Sequence, residues 1–343
     1  MLTFERLELD RCDWDEMNSF PDRVLFQTRE WLEFVTRSQG AEPVVAALSD
    51  GGERIGYFTG LIARRFGVRI LGSPLPGSTT NYMGFNLHDG VSRREAAAAL
   101  PRFAFRSLGC LHLELTDRHL KAGDLAGLNF EHKSWGTSEI DLTPDEEAIF
   151  AGMQSRSRGA VRRSVKLGVK IEEAGGEEYA DEYYAQLEDV FAKQGLRPTY
   201  GIDRVRELIR CLEPTGHLLL LRAVSAEGES IATGIFPAMN GTAYFWGGAS
   251  WRSHQNLRPN EALFWNAIRM LKERGIPALD MGGGGDFKRK FGPAERRIPF
   301  VRKSRLPGLM TLRDMAARFY WKRAVSAVVL GAGWEPEVGL SYL

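Results

Sequence analysis

Ala47–Gly56 reads ALSDGGERIG and Ala223–Ala232 reads AVSAEGESIA, and the two stretches align without a gap. In each stretch a polar turn that contains glycine separates two apolar runs, a pattern that predicts a strand, a hairpin turn and a second strand. The elements predicted after each stretch also follow in the same order. We therefore expect a tandem duplication, with one copy of the same domain in each half of the chain.

The matching elements define the expected fold. Each half continues with a strand pair, then a helix, at Arg93–Leu108 or Asn260–Arg274, and then a short strand, at His112–Leu115 or Ala278–Met281. Hairpins with helices packed on them are typical of an α+β fold. We expect each half to be a mixed, mostly antiparallel sheet flanked by helices.

The boundary between the halves is expected near Asp141–Phe150. Thr143 is predicted to cap a helix there, with Pro144 at the first helical position and acidic residues in the first turn. The predicted division is an N-terminal domain, a C-terminal domain, and a C-terminal helix with a tail, at residues 1–145, 146–305 and 306–343.

Leu279–Gly292, which reads LDMGGGGDFKRKFG, distinguishes the second half from the first. An apolar run that ends in Asp280 predicts a buried strand, and four glycines then allow positive φ angles and the close approach of a ligand. The first half has Glu114–Asp117 at the corresponding place, without glycines or lysines. We therefore assign the chemistry to the second half and a docking, substrate-shaping role to the first. The alternative is that the glycines form a plain surface turn.

The composition of the 343-residue chain excludes several classes of protein. A net charge of +1 gives no global affinity for nucleic acid, so anion binding must come from local patches. Cys12, Cys110 and Cys211 are scattered, and we expect buried thiols in a reducing compartment. We find no secretory signal and no apolar run of about 18 residues that would predict a membrane-spanning helix.

The motifs that are missing narrow the chemistry further. No spacing of His, Cys, Asp and Glu is typical of a metal site, so we predict no metal. The sequence has no Gly-x-Ser-x-Gly elbow, no P-loop and no dinucleotide-binding glycine motif after a strand, which argues against a serine hydrolase, an NTPase and a classical dinucleotide enzyme.

Two basic segments are candidates for binding an anion. Ser155–Val169 predicts a helix that ends at a glycine cap, and Arg158, Arg162 and Lys166 lie on one stripe of it. Such a stripe suits a phosphate, a carboxylate or a nucleic-acid backbone, or else it is a solvated helix face. The second segment follows the strand predicted at Thr242–Ala249.

That second segment is the loop before the helix at Asn260. Pro259 lies near the first helical position, so free backbone N–H groups should face the loop. Arg252, His254 and Arg258 in the loop could then hold a pyrophosphate or a terminal phosphate. Any exposed loop can hold such residues, and His254 alone is more typical of a polar surface.

Together these motifs resemble the FemAB-like branch of the GNAT acyltransferase superfamily, which is built from two GNAT-like domains in tandem. The resemblance covers most of the chain and has four parts. They are Phe26–Trp31 near the start, Arg158–Val169, the segment from Gly248 to Trp265, and Phe287–Gly292, which matches a Phe-Lys-x-x-Phe-Gly signature. The usual GNAT pyrophosphate loop is not legible between Ser250 and Pro259, and no long helical hairpin is inserted between Gly168 and Leu218.

The resemblance implies an N-acyltransferase that moves an acyl or aminoacyl group from an activated donor to an amine, in cell-envelope or exopolysaccharide assembly. It implies acyl-CoA as the donor, with aminoacyl-tRNA as the alternative, and no metal. An envelope precursor would supply the amine. Two alternatives stay open, a catalytically decayed GNAT-fold binding protein and an aminoacyl-tRNA-dependent transferase that forms peptidoglycan bridges. An RNA-binding module that uses Arg156–Lys170 is the least favoured hypothesis.

The candidate site residues follow from the sequence motifs and from the family resemblance. Lys288 corresponds to the family lysine that steadies the charge of the donor, and Asp280 is expected to orient the amine, to accept its proton, or to make a structural hydrogen bond. The expected donor-binding residues are Arg252, His254, Arg258, Asn260, Gly283 and Gly284. The expected acceptor-binding residues are Arg158, Arg162, Lys290 and Phe287. Lys290 is also the alternative to Lys288.

The segment Leu306–Leu330 predicts a basic amphipathic helix with Phe319, Tyr320 and Trp321 at its centre. Such a helix suits the surface of an anionic membrane, or else it packs on the domains. We therefore expect a cytoplasmic protein that could contact the inner face of the membrane peripherally through this helix.

Overall fold

The computed structural model describes residues 2–65, 67–192 and 195–308. The chain divides into two compact units, each with its own apolar core. Among the described residues, unit 1 contains those up to Trp135 and those from Arg297 to Gly308, and unit 2 contains Gly136–Arg296. The chain thus passes between units inside two strands, not at residues 145 and 305. The predicted C-terminal helix falls from residue 309 onward outside the described residues.

Unit 1 alternates hairpins and helices as the repeat predicts. Its elements are β1 (Thr3–Leu7), α1 (Trp14–Asn18), α2 (Arg29–Gln39), β2 (Glu42–Asp50), β3 (Glu53–Arg65), β4 (Val68–Ser73), β5 (Gly84–Leu87), α3 (Arg93–Arg102), β6 (His112–Leu115) and β7 (Glu131–Asp141), which ends in unit 2.

Unit 2 repeats this order after two additional helices. Its elements are α4 (Glu146–Gly152), α5 (Ser155–Lys166), β8 (Lys170–Ala174), α6 (Glu178–Ala192), α7 (Ile202–Leu212), β9 (Leu218–Val224), β10 (Ser230–Met239), β11 (Thr242–Tyr244), β12 (Gly247–Ser250), α8 (Pro259–Glu273), β13 (Ala278–Asp280), α9 (Asp286–Arg289) and β14 (Ala294–Ser304), which ends in unit 1.

The two sheets have matching topologies. The strand order in unit 1 is β1-β2-β3-β4-β6-β14, and β5 pairs with β3. In unit 2 the order is β8-β9-β10-β11-β13-β7, and β12 pairs with β10. Only the pairs β4–β6 and β11–β13 are parallel among those whose registers are defined. The predicted α+β fold, a mixed and mostly antiparallel sheet with helices in each half, is confirmed.

The helix near the predicted boundary begins later than expected. We predicted Thr143 as its cap and Pro144 as its first residue, and this is wrong. The N-cap is Asp145, whose side chain accepts a hydrogen bond from the Ala148 N–H at 2.7 Å. Thr143 instead donates its N–H and its hydroxyl to Asp141. The Asp141 side chain therefore makes a turn, and the stronger capping residue starts the helix two positions further on.

The strand predicted at Thr242–Ala249 is broken, and the break creates the candidate site. Over β11 the chain pairs with both β10 and β13. The Phe245 N–H still donates to the Asp280 carbonyl at 2.8 Å, but the Trp246 N–H donates to the Ile235 carbonyl at 3.1 Å. The chain thus leaves β13 and follows β10 as β12. Among the described strands β12 has β10 as its partner, so its other edge is open.

Candidate active site

The open edge of β12 presents the backbone of Gly248. The Trp251 N–H donates to the Ile231 carbonyl at 3.1 Å, and positions alternate along an antiparallel pair. Residues 249 and 247 therefore bond to β10, and Gly248 turns its N–H to the opposite edge. Gly248 is exposed, and an added Cβ would lie 3.0 Å from the Phe245 ring. Glycine at this position keeps the N–H accessible to a ligand.

The equivalent edge of unit 1 is occupied by the protein itself. Gly56, which aligns with Ala232, pairs with Leu87, whereas Ala232 pairs with Ser250, so Phe85 is the counterpart of Gly248. The Phe85 N–H donates to Oδ2 of Asp117 at 2.9 Å. The counterpart of Asp117, counted along the closing strands from His112 and Ala278, is Gly283. By this alignment, unit 1 has a carboxylate bound to the edge N–H where unit 2 has a buried glycine.

Asp280 holds the start of the glycine turn. It is fully buried, and its Oδ1 accepts hydrogen bonds from the Thr137 hydroxyl at 2.5 Å and from the Gly282 N–H at 2.8 Å. Gly282 has φ 70°, a left-handed conformation that favours glycine. These contacts support the structural role that we left open for Asp280. Gly284 has open space around it.

Lys288 lies in α9 and points back toward the glycine turn. Its side chain is 4% exposed, and its Nζ donates to the carbonyl of Gly283 at 2.8 Å. Burial lowers the pKa of Lys288 to about 8, although the charge of Asp280 opposes the shift. A buried amine with a pKa near neutrality can change its charge under physiological conditions. Lys288 therefore places an amine whose charge changes near neutral pH beside Gly283, the counterpart of Asp117.

Lys290 has a different partner from Lys288. Its Nζ lies 3.1 Å from Oε1 of Glu261, in the first turn of α8, and 5.3 Å from the centre of the Phe287 ring. Phe287 packs edge-on against Phe264 at 5.9 Å and against Phe291 at 5.3 Å. Phe287 and Lys290 thus anchor α9 on α8, and the predicted acceptor contacts of these two residues stay predictions.

A pair of tyrosines lies against β12. The Tyr183 hydroxyl is 2.4 Å from where a Cβ on Gly247 would stand, and it is 2.8 Å from the hydroxyl of Tyr200. The ring of Tyr200 lies 5.5 Å from that of Trp246. Burial raises the pKa of both phenols, so both hydroxyls stay protonated at neutral pH. They form a proton-donating pair beside the open edge.

A groove extends from Tyr200 along the end of α6. Its volume is about 670 Å³, and Tyr184, Glu188, Arg197 and Tyr200 are among the residues that line it. Arg204 lies over the Tyr200 ring at 5.4 Å. The size suits a small molecule, and the groove reaches the tyrosine pair.

We did not predict the tyrosine pair or the edge of β12 as site residues. Tyr183 falls among core residues at helical spacing, so its pattern is that of a packed helix. A usable signal was present at Gly247 and Gly248, because glycine inside a strand often marks the close approach of another group.

Two of the three basic residues predicted to bind phosphate in the loop before α8 are paired with carboxylates. Arg252 makes a two-pronged ion pair with Asp189, at 2.9–3.1 Å, and His254 lies 3.1 Å from Glu229. Asn260 donates to the Ser250 hydroxyl at 3.0 Å. Arg258 is the N-cap of α8 with φ 58°, and Pro259 is at the first helical position, as predicted. Of the cations predicted here, Arg258 is the one whose side chain has no ion pair among the described residues.

The basic helix packs beside the Phe-Lys-x-x-Phe-Gly element. The Gln154 N–H, at the N-cap of α5, donates to the Lys290 carbonyl at 2.9 Å. Gly292 has φ 71°, and an added Cβ would lie 2.4 Å from the Gly152 carbonyl oxygen. Two motifs more than a hundred residues apart in sequence are thus adjacent in the fold.

The predicted acceptor-binding arginines of α5 have intramolecular partners. The Arg158 guanidinium donates to the carbonyls of Ala151, at 3.0 Å, and Met153. Arg162 lies over the Phe150 ring at 5.3 Å. Arg158 therefore closes the end of α4, and the substrate contacts of both arginines stay predictions.

The described residues also bear on metal binding, on membrane-spanning helices and on the state of the cysteines. Within residues 2–65, 67–192 and 195–308, no group of three or more His, Cys, Asp and Glu side chains could hold a metal. No helix in these ranges combines the length and apolarity needed to cross a bilayer. The cysteines are free thiols, although Cys12 is only half-buried.

Comparison with known proteins identifies the domain of unit 2. Residues 152–289 match the family model described as an acetyltransferase (GNAT) domain. This match confirms the predicted resemblance to the GNAT superfamily, and the structural neighbours share the fold expected of its FemAB-like branch. The match also confirms the predicted enzyme class, an acyltransferase. No curated protein matches the sequence.

Solved structures resemble the fold over most of the chain. FemX has a TM-score of 0.70 at 14% identity, covering 87% of this chain and 96% of FemX. A tandem GNAT protein from the clavulanic acid biosynthesis pathway has a TM-score of 0.55 at 15% identity, covering 90% and 99%. L-PGS from Bacillus licheniformis has a TM-score of 0.51 at 13% identity, covering 76% and 85%. At these identities the likeness establishes the fold alone.

Proposed function

We propose that the chain transfers an acyl or aminoacyl group from an activated ester or thioester to an amine at the open edge of β12. The observation that carries this proposal is the contrast between Gly248, which is exposed, and Phe85, whose N–H lies 2.9 Å from a carboxylate oxygen. Asp117 thus models an anionic oxygen bound at this position. In unit 2 the carbonyl of the donor takes that place, and the hydrogen bond strengthens as negative charge develops on the oxygen.

The neighbouring side chains supply the remaining catalytic groups. Lys288, as an ammonium beside Gly283, makes the local potential positive and so stabilises the tetrahedral intermediate. The neutral amine of the acceptor attacks the carbonyl carbon, and the bond from that carbon to the leaving oxygen or sulfur then breaks. Tyr200, or Tyr183 through it, donates the proton that the leaving group needs, and the proton that the attacking nitrogen loses returns to the tyrosine pair through solvent water.

The donor that we propose first is an acyl-CoA, bound along β12 toward the N-terminus of α8. Free N–H groups in the first turn of α8 and the guanidinium of Arg258 would hold its phosphates. Gly283 would leave room for the chain of the donor, and Gly284 beside it faces open space.

The pairing of the other cations favours a second candidate. Arg252 and His254 are each bound to a carboxylate, and Glu261 adds negative charge to the first turn of α8. This reduces the attraction for a pyrophosphate. An aminoacyl-tRNA ester needs no pyrophosphate there, so it is the alternative donor.

The biological setting that we propose is cell-envelope or exopolysaccharide assembly. Its support is the likeness of fold to FemX and L-PGS, together with the groove beside Tyr200, which can receive the amine of a larger precursor. The two other possibilities, a decayed binding protein and a bridge-forming peptidoglycan transferase, differ from this proposal in measurable activity and in donor.

The test is a transfer assay with purified full-length protein. Acetyl-CoA, a long-chain acyl-CoA and aminoacyl-tRNA are each offered with a panel of amines, and release of CoA or of free tRNA is measured, with Lys288→Ala as the control. Turnover with an acyl-CoA that is lost in the control supports the first donor. Turnover with aminoacyl-tRNA alone supports the second. Binding and transfer absent for every donor would instead favour the decayed protein.

A further inference from the structure

The exposed face of α5 combines charge with apolar side chains. Between Ser155 and Ile171 lie six of the 45 Lys and Arg residues of the chain and none of its 44 Asp and Glu residues. The helix buries small side chains, Ser157, Ala160, Val161 and Ser164, and so leaves most of its cations outside. This concentration in a chain of net charge +1 makes the face a local basic surface.

Most of these cations are not neutralised within the protein. Arg156, Arg163, Lys166 and Lys170 are exposed and have no ion pair with another described residue. Arg162 and Lys166 lie four residues apart on the helix and repel each other, so an external anion would stabilise this arrangement. Acidic residues border the surface at Glu172 and in the turn at Ala226–Glu229, which contacts Gly168.

Two large apolar side chains project from the same end of the helix. Val165 is 65% exposed and Leu167 is 39% exposed. They are half of the exposed large hydrophobic residues in the described part of the chain, the others being Leu9 and Leu306. Exposed apolar residues are ordinary when scattered. These two lie on different sides of the helix end, and they give that end apolar area among unpaired cations.

We propose that Arg163, Val165, Lys166, Leu167 and Lys170 form a docking surface for a membrane that carries anionic lipids. The cations attract the headgroups, and Val165 and Leu167 enter the boundary between headgroups and acyl chains. Nucleic acid is the other polyanion to consider. Nucleic acid binds more tightly where aromatic side chains stack on its bases, and this surface has no aromatic side chain. Exposed Val and Leu would not increase the affinity for nucleic acid. The apolar pair therefore favours the lipid surface.

This proposal does not depend on acyl transfer. The helix begins beside the Phe-Lys-x-x-Phe-Gly element, and its 12 residues span about 18 Å at 1.5 Å per residue. Docking by its far end would hold the candidate active site near the membrane without covering it. An amine on a membrane-bound molecule would then be within reach.

The experiment measures sedimentation of the full chain with vesicles. One set contains equal parts phosphatidylglycerol and phosphatidylcholine, and the other phosphatidylcholine alone. The test variants are Arg163→Gln with Lys166→Gln, and Val165→Ser with Leu167→Ser. The control is Arg106→Gln with Lys121→Gln, which removes two exposed cations from unit 1. Circular dichroism establishes that each variant is folded, and all of them keep residues 309–343.

We expect binding to the anionic vesicles only, weakened about 25-fold by the loss of two cations, at roughly fivefold each, and unchanged in the control. The apolar variant should lose about tenfold and should do so at high salt as well. Full binding by both test variants would overturn the proposal and move any membrane contact to another segment. Binding to total tRNA that falls with the cations, while the apolar variant behaves as wild type on vesicles, would also overturn it.

Discussion

The two units have the same fold but differ at the free edge of one strand, which is β5 in unit 1 and β12 in unit 2. In unit 1 the outward N–H groups of β5 are bound by carboxylates, Phe85 by Asp117 at 2.9 Å and Leu87 by Asp22 at 3.0 Å. In unit 2 the corresponding strand, β12, presents Gly248 to solvent. The difference teaches that a backbone site of this kind can be closed by one side chain.

The carboxylate of Asp117 closes the strand edge in unit 1, and we call it the plug. It has several hydrogen-bond and ionic partners. Asp117 is 1% exposed, and it also accepts hydrogen bonds from the N–H groups of His119 and Leu120 and pairs with Arg93 at 2.7 Å. Burial raises the pKa of Asp117, while Arg93 and the backbone N–H groups oppose that shift. These contacts offset part of the cost of burying the carboxylate, and its side chain leaves no room for a ligand.

The charged side chain nearest to the edge also differs between the two units. Unit 1 puts the Asp117 carboxylate at the strand, whereas unit 2 has glycine there and turns Lys288 toward the carbonyl of Gly283. A position that holds its own anion in one unit is thus next to a cation in the other. The predictions below test whether this contrast decides which unit works.

Installing the plug in unit 2 should have the largest effect. We expect Gly283→Asp to reduce kcat/KM about 1,000-fold, because its carboxylate would take the Gly248 N–H that the donor needs. The assay is transfer to an amine with the donor identified in the transfer assay. Gly284→Asp, which adds the same charge one position away in open space, should lose less than fivefold. Equal losses in both variants would mean that charge alone, not occupation of the edge, is responsible.

Removing the cation beside Gly283 should come next. We expect Lys288→Met to lower kcat about 100-fold or more, because an electrostatic contact to the developing charge is lost. Lys290→Met, whose amine pairs with Glu261, is the matched control and should change kcat less than tenfold. A Lys288→Met enzyme that stays folded and fully active would remove this residue from the mechanism.

Tyr200→Phe should lower kcat by about 10- to 100-fold, because the ring still packs on Trp246 while the proton donor is lost. Tyr184→Phe serves as the comparison, since its hydroxyl donates to the Tyr200 carbonyl at 3.0 Å and has no assigned part in the reaction. Steady-state kinetics with a donor that has a better leaving group should restore Tyr200→Phe toward wild type. If no such rescue occurs, the hydroxyl serves packing and not proton transfer.

The pH dependence should reflect Lys288. Its pKa of about 8 means that the ammonium is lost as the pH rises through 8, so kcat should fall about tenfold from pH 7 to pH 9. The Lys288→Met variant should lack this fall. An activity that instead rises through pH 8 in the wild type alone would indicate that the neutral amine acts as a base.

Stability should depend on pH in the opposite sense. The pKa of Lys288 is lowered on folding from 10.5, so between pH 8 and 10.5 the unfolded chain holds a proton that the folded chain lacks. The free energy of unfolding should therefore rise across this window, by about 3 kcal/mol in total. Denaturant titrations of wild type and Lys288→Met at pH 7 and pH 10 should show the rise in the wild type alone.

Opening the plug in unit 1 should change turnover least. We expect Asp117→Asn to lower the free energy of unfolding by about 1–3 kcal/mol, because Arg93 loses a buried ionic partner. Turnover per folded molecule should stay within about twofold, since unit 1 holds no reacting group in this account. Thermal melting and active-site-normalised kinetics separate the two effects. A large loss of kcat at unchanged stability would give unit 1 a direct part in catalysis.

The sequence was sufficient for the fold because the repeat encodes it twice. Hairpin turns and apolar runs around Ala47–Gly56 and Ala223–Ala232 are local signals, and they placed β6, β13 and α8 to within a residue or so. The passage of β7 and β14 between units could not be read, because pairing of distant strands leaves no local pattern. The break after Tyr244 depends on a change of hydrogen-bond partner, which composition does not encode.

The candidate site was predictable only where single residue types carry the signal. The glycine run and Lys288 stand out in the sequence, and both lie at the site. Arg252 also stands out, but its bond to Asp189 on α6 depends on the tertiary fold. The tyrosine pair is the reverse case, because Tyr183 and Tyr200 look like core residues until β12 is seen beside them.

The most direct test of the central claim is the stoichiometry of donor binding by calorimetry. Wild type, Gly283→Asp and Asp117→Asn are each titrated with the donor that supports turnover, and Gly284→Asp controls for added charge. The account predicts one donor per chain for wild type and for Asp117→Asn, and none for Gly283→Asp. Two donors per chain in the wild type, or binding that survives in Gly283→Asp at full affinity, would contradict it.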